Sequence, residues 1–217
     1  MPPAPPANFD HIARPYRWLE YLSFGPMLER CRFRHISQLA SSRRALVYGD
    51  GDGRFLARLL AANPHLHADV IDLSPAMLRL LESRVSAVGA RNRIRIHRAD
   101  ALAFEPTGNY DLVVTHFFLD CFSTAEVLVL AQKIRPHIAA DALWLVSEFA
   151  IPRGPAAIPA KSIVAALYSA FGLLTGLRTR TLPDHASTLT HIGFTVVHRK
   201  TFLSGLLISE LWKAEST

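Results

Sequence analysis

Ala45-Leu46-Val47-Tyr48-Gly49-Asp50-Gly51-Asp52-Gly53-Arg54 is the stretch whose reading decides the fold. Its first four residues form a short apolar run, the pattern of a strand buried on both faces. Three glycines in five positions then end the run; glycine permits a tight turn and lets backbone approach a ligand closely. Beyond them Phe55, Leu56, Leu59 and Leu60 recur at helical spacing, and Asn63-Pro64 stops the helix after Ala62. Strand, glycine turn and helix in that order open a βαβ unit.

Downstream the rhythm repeats. His67 to Leu73 reads as a second strand. Ser74 then stands as N-cap before Pro75, and a helix over Ala76 to Val88 runs to Gly89. Arg93 to His97 is a third strand, and Tyr110 to His116 a fourth, apolar enough for the centre of a sheet. A helix from Thr124 to His137 leads to a fifth strand, Ala142 to Phe149. Strands alternating with helices predict right-handed crossovers and a mostly parallel sheet. The end differs: an apolar helix (Ala160 to Leu177) and a short one (Asp184 to His191) precede strands over Phe194 to Phe202 and Leu206 to Trp212. Ser204-Gly205 leaves room only for an antiparallel hairpin between those two strands. The default reading of the long apolar helix is a buried core element; the sharper one is the wall of a lipophilic acceptor pocket.

Upstream, Phe9 to Arg44 reads as two helices broken at Pro15 and Gly25-Pro26, after a proline-rich stretch over residues 1–8 expected to be a disordered leader. With 217 residues, half of them hydrophobic and 19% charged, the chain fits one α/β domain over residues 45–217 plus a helical segment over residues 9–44. The net charge of +6 attracts acidic partners in general without choosing among them. The arginines are dispersed, with no interleaved aromatic stripe, which argues against nucleic acid. Cys31 and Cys121 form neither a disulfide framework nor a zinc knuckle, and His65-x-His67 lacks a third ligand, so no metal is expected. The first residues do not read as a signal peptide, and no apolar run has the roughly 20 residues a spanning helix needs. The expected location is cytoplasmic, with only peripheral membrane contact open; the oligomeric state is not indicated.

Two further acids fall where an adenosine ligand needs them. Asp72 ends the second strand 19 residues after Gly53, placed to accept hydrogen bonds from both ribose hydroxyls, and Asp100-Ala101 follows the third strand on the adenine side. A dinucleotide would set its pyrophosphate on the loop and the following helix. Here, though, the third glycine comes one residue early for that fingerprint. Asp50 and Asp52 would each also repel a pyrophosphate by roughly 1 kcal/mol or more. The same charges suit a sulfonium and an ammonium group.

Over most of its length, from Ala45 to Trp212, the chain resembles the class I S-adenosylmethionine-dependent methyltransferases. Gly49-Asp50-Gly51-Asp52-Gly53 is similar to their glycine motif, Val70-Ile71-Asp72-Leu73-Ser74-Pro75-Ala76-Met77 to the segment of the ribose-binding acid, and Tyr110 to His116 to the fourth-strand motif. Phe9-Asp10-His11-Ile12-Ala13-Arg14-x-Tyr16 is loosely similar to the leader of quinone-biosynthesis methyltransferases. The resemblance implies a three-layer α/β/α sandwich with seven strands in the order 3-2-1-4-5-7-6, the last antiparallel. It implies S-adenosyl-L-methionine as cofactor, S-adenosyl-L-homocysteine as product and a small, lipophilic acceptor. Tyr16, Gly49, Asp50, Gly51, Gly53, Asp72, Leu73, Met77, Asp100, Ala101, Thr115 and His116 are the expected cofactor contacts, with residues 9–44 as a lid. Many members carry an acid where this chain has Val47, a role left to Asp50 or Asp52.

Methyl transfer needs alignment and exclusion of water, and a base only when the acceptor must lose a proton. His116, Asp120 and Cys121 are the candidates, His116 the preferred base, with a packed or pocket-lining His116, a substrate-orienting or helix-capping Asp120 and a core Cys121 as the structural alternatives. Two rivals stand beside this reading: a nicotinamide-dependent oxidoreductase, and a non-catalytic S-adenosylmethionine-binding module.

Overall fold

The computed structural model describes residues 24–175, 179 and 181–215. The leader, the first of the two expected N-terminal helices and Tyr16 lie outside the described residues.

Seven strands form one sheet: β1 (Arg44–Tyr48), β2 (His67–Asp72), β3 (Ile94–Arg98), β4 (Tyr110–His116), β5 (Ile138–Phe149), β6 (Phe194–Phe202) and β7 (Leu207–Ala214). Their order is β3-β2-β1-β4-β5-β7-β6, as the resemblance implied. β1 pairs in parallel with β2 and β4, and β7 runs antiparallel to both β5 and β6. The turn between β6 and β7 takes three consecutive left-handed residues, Leu203, Ser204 and Gly205.

Side-chain alternation along the strands builds two cores. Ala45, Val47, Val70, Leu112, Val114, Leu145 and Leu211 face α2 (Arg54–Ala62) and α3 (Pro75–Ala87), meeting Phe55, Leu56, Leu59, Leu78, Leu81 and Val85. Leu46, Tyr48, Val113, Trp144, Val146 and Trp212 face α4 (Thr124–Ile134) and α6 (His185–His191) on the other side. Each such fully buried Leu or Phe contributes about 1.5–3 kcal/mol, so a strand slipped by one residue would exchange its contributions between the two cores. α1 (Met27–Phe33) lies on the edge of the first core: Cys31 is wholly buried and its thiol donates to the Ile208 carbonyl at 3.2 Å.

Helix ends follow local chemistry. Ser74 caps α3 by accepting the Met77 N–H, with Pro75 at the first position. Ser123 and Glu126 form a capping box on α4. That helix stops at Ile134, short of His137, and Arg135–His137 forms a 3-10 turn, because Pro136 has no N–H to continue the α-helical ladder. β5 begins at Ile138, four residues before the expected start, its pairing with β4 shifting register near the left-handed Asp141.

α5 (Ala157–Thr175) departs most from expectation. Among the described residues its buried stripe is Ala160, Val164 and Tyr168, against Phe24, Phe149, Leu182 and Leu206, while Ile158 is 76% and Leu173 89% exposed. It is a one-sided helix rather than a core element. No helix among the described residues is long and apolar enough to cross a membrane.

Candidate cofactor and acceptor site

All three loop glycines have positive φ: +59° at Gly49, +60° at Gly51 and +81° at Gly53. Two are also required by contact. A Cβ on Gly49 would stand 2.3 Å from the Phe118 ring, and one on Gly53, the residue opening α2, 2.5 Å from Leu81 Cα. The Gly49 N–H donates to the Ile71 carbonyl, fastening the loop to the end of β2.

The two loop acids have different fates. Asp52 is 5% exposed, and its two oxygens accept from Arg54 Nε and Arg84, each at 2.9 Å. The expectation of two free charges on the loop is therefore corrected, because Asp52 is neutralised inside the protein. Asp50 uses Oδ2 to accept the Leu56 N–H at 3.0 Å, while its Oδ1 is enclosed with no hydrogen-bond partner among the described residues. Burial pushes its carboxyl up to about 7, against the pull of the Leu56 N–H, Arg32 and Arg54. Val47 is a fully buried core residue.

Asp72 and Asp100 stand beside the loop. Asp72 ends β2 and accepts the Ser74 N–H at 2.8 Å; Asp100 follows β3 and accepts the Leu102 N–H at 2.8 Å. Both are half-buried, Leu73 is 36% exposed, and Met77 and Ala101 are buried. Because β1, β2 and β3 are parallel neighbours, the loop, Asp72 and Asp100 form one row along the carboxyl edge of the sheet.

The end of β4 separates residues that the sequence groups together. Thr115 is fully buried in the α4-side core, where its hydroxyl accepts from Trp144 Nε1 at 3.1 Å. His116 points to the opposite face, 3% exposed, with its ring edge-on to Phe55 at 4.3 Å. Neither ring nitrogen has a partner among the described residues. Burial, then Arg32 and His35, hold its pKa well below the ordinary value, so the ring is neutral.

The chain turns at Phe117 (φ +50°), whose N–H donates to Ser147. The next two N–H groups, of Phe118 and Leu119, donate to Glu148 Oε1 at 3.0 and 2.8 Å. Glu148 was missed by sequence reasoning; its only signal is a lone acid in the apolar run of β5. It is 2% exposed, and its Oε2 has no hydrogen-bond partner among the described residues. Asp120 follows, half-buried, its carboxyl pushed by desolvation up to about 6. The Cys121 thiol lies 3.7 Å from Asp120 Oδ1, and Tyr168 of α5 donates its hydroxyl to the Asp120 carbonyl at 3.0 Å. Asp120, Cys121, Glu148 and Tyr168 thus meet at one place, while His116 lies on the other face of the sheet. Among the described residues, no three His, Cys, Asp or Glu side chains are grouped to hold a metal.

Residues 46–143, the segment holding the glycine loop, Asp72, Asp100 and β4, match the family model described as a methyltransferase domain. The chain is similar to methyltransferase domains over these residues, about 45% of its length. Curated relatives match about half of it: a polyamine aminopropyltransferase 2 of Bacillus cereus is 29% identical over 121 residues, 51% of this chain and 33% of that protein. A release factor glutamine methyltransferase of Cereibacter sphaeroides is 31% identical over 97 residues, 43% of this chain and 34% of that one. The chain thus spans about a third of the length of these relatives. The methyltransferase fold extends further. An O-methyltransferase family protein from Burkholderia thailandensis superposes with a TM-score of 0.72 at 15% identity, covering 94% of this chain and 60% of that one. The N-methyltransferase NodS from Bradyrhizobium japonicum does so at 0.60 and 17%, covering 88% and 98%.

Proposed function

We propose that the protein transfers the methyl group of S-adenosyl-L-methionine to a small-molecule acceptor in the cytoplasm, releasing S-adenosyl-L-homocysteine. The observation that carries this reading is the row formed by the glycine loop, Asp72 and Asp100 on the carboxyl edge of a sheet closed by an antiparallel β7. The residues fit the cofactor. Arg54 beside the loop is engaged by Asp52 and Glu29, which argues against a pyrophosphate ligand there. The enclosed Asp50 Oδ1 is an acceptor suited to the cationic methionine end.

In this reading Gly49, Gly51 and Gly53 shape the turn under the cofactor, Asp72 holds the ribose hydroxyls, and Asp100 with Ala101 meets the adenine. Leu73 and Met77 contribute apolar wall, while Thr115 and His116 support the buried end of β4 from its opposite faces. The bound sulfonium supplies an activated methyl carbon; the chain aligns the acceptor and keeps water out. Asp120, half-buried beside Glu148, is the base for an acceptor proton. His116 is less suited to that task, being sealed behind Phe55.

Calorimetric titration with S-adenosyl-L-homocysteine and with NADH, on the wild type and on Asp72→Ala, tests the reading. Binding of S-adenosyl-L-homocysteine that weakens in the variant, with no response to NADH, is the expected result. NADH binding in its place would sink the reading in favour of an oxidoreductase. Cofactor binding with no turnover over a broad acceptor panel would leave a non-catalytic binding module.

A further inference from the structure

Four acids among the described residues are buried: Asp52, Asp69, Glu148 and Glu210. Three of them meet two basic side chains each. Asp52 is held by Arg54 and Arg84, Asp69 by Arg44 and His97, and Glu210 by His185 and Arg199. Glu148 meets no described cation. Its Oε1 serves two backbone N–H groups, and its enclosed Oε2 serves nothing. Asp120, close enough for the two carboxyl groups to repel, has no described cation either, only the Cys121 thiol.

A desolvated carboxylate is costly unless a cation or a proton completes it. In a chain carrying a net +6, a buried acid and a half-buried one left together without a described basic neighbour stand out. The pair also lies beside Tyr168, an aromatic ring of the kind that attracts ammonium groups, and the apolar stripe of α5 continues from that ring through Val164 and Ala160.

We propose that the methyl acceptor is an amine, entering as an ammonium ion that the Asp120–Glu148 pair binds and deprotonates. This rests on the methyltransferase reading for the reaction but not for the binding. The ammonium gives one proton to the pair and becomes a neutral amine. Its lone pair then forms the nitrogen–carbon bond as the carbon–sulfur bond of the sulfonium donor breaks, leaving a thioether and a methylated ammonium. A phenol or carboxylic acid acceptor would instead arrive as, or become, an anion facing two acids.

The test is calorimetry on protein saturated with S-adenosyl-L-homocysteine, using hexylamine, phenethylamine and spermidine, then 1-hexanol, 2-phenylethanol and 3-phenylpropanoate. At least one amine is expected to bind about tenfold or more tightly than its neutral or anionic counterpart. Asp120→Asn, and separately Glu148→Gln (which keeps an acceptor for the Phe118 and Leu119 N–H groups), should each abolish that preference. S-adenosyl-L-homocysteine affinity should meanwhile stay within about twofold. Three outcomes would overturn the proposal: no amine binds, the alcohol or carboxylate binds equally well, or the preference survives Asp120→Asn in a variant with unchanged melting temperature. Amine selectivity that depends on Asp120 without any S-adenosyl-L-homocysteine binding would remove the methyltransferase reading and keep the amine site.

Discussion

Gly53 lies so close to Leu81 that a Cβ on the glycine would come 2.5 Å from the leucine Cα. The contact joins the first turn of α2 to the middle of α3, and Gly53 also has a φ of +81°. Gly53→Ala therefore meets two penalties, left-handed strain of about 1–2 kcal/mol and overpacking of about 1–3 kcal/mol. Urea unfolding should show a loss in the range of their sum, whereas Gly89→Ala, with nothing within 4 Å, should show only the strain.

Asp52 should matter to stability rather than to ligand charge. Removing it leaves Arg54 and Arg84 without their shared acid, and breaking a buried pair costs about 3–5 kcal/mol, less here because Arg84 is partly exposed. Thermal melting of Asp52→Asn at pH 7 should show a clear drop. An unchanged melting temperature would contradict the pairing.

Asp50 gives a pH signature of the opposite sense. Its folded pKa of about 7 lies above the ordinary 3.8, so the native state holds a proton that the unfolded chain releases. Its contribution to stability is full below about pH 3.8 and declines as the pH rises towards 7. In Asp50→Asn that decline should vanish, making the variant relatively more stable at pH 8 than at pH 5. Chemical denaturation at the two pH values reads it directly.

Glu210 runs the other way. Burial pushes its pKa up, but His185, Arg199 and the Trp212 N–H together hold it below the usual 4.5. Its stabilising contribution is therefore present above that value and disappears as the pH falls through the depressed folded pKa. Glu210→Gln should cost about 3 kcal/mol at pH 7, and the gap to the wild type should narrow on acidification.

Elements governed by local patterning were legible in the sequence. β4 and β6 span the residues expected of them, and Ser74-Pro75 marks the start of α3. Strand order came from resemblance, since periodicity carries no information about neighbours. What escaped was set by distant partners. The neutralisation of Asp52 needs Arg84, which the chain brings back only after passing through β2. Glu148 is fixed by amides about thirty residues upstream, and no spacing rule marks such a pairing. His116 and Thr115 are adjacent in sequence yet face opposite cores, which follows from strand alternation once β4 is placed. α5 has the composition of a core helix, but composition does not reveal how many sides have neighbours.

β7 is the last strand along the chain but not the last in space: it lies between β5 and β6, and α1 is anchored to it through Cys31 and Ile208. A nascent polypeptide lacking residues 207–214 would hold β5 with an open edge, α1 without its anchor, and β6 with no neighbour. On the ribosome, therefore, the three-layer arrangement closes only after residue 214 has cleared the exit tunnel. Until then β5 keeps an unpaired edge open to wrong pairings.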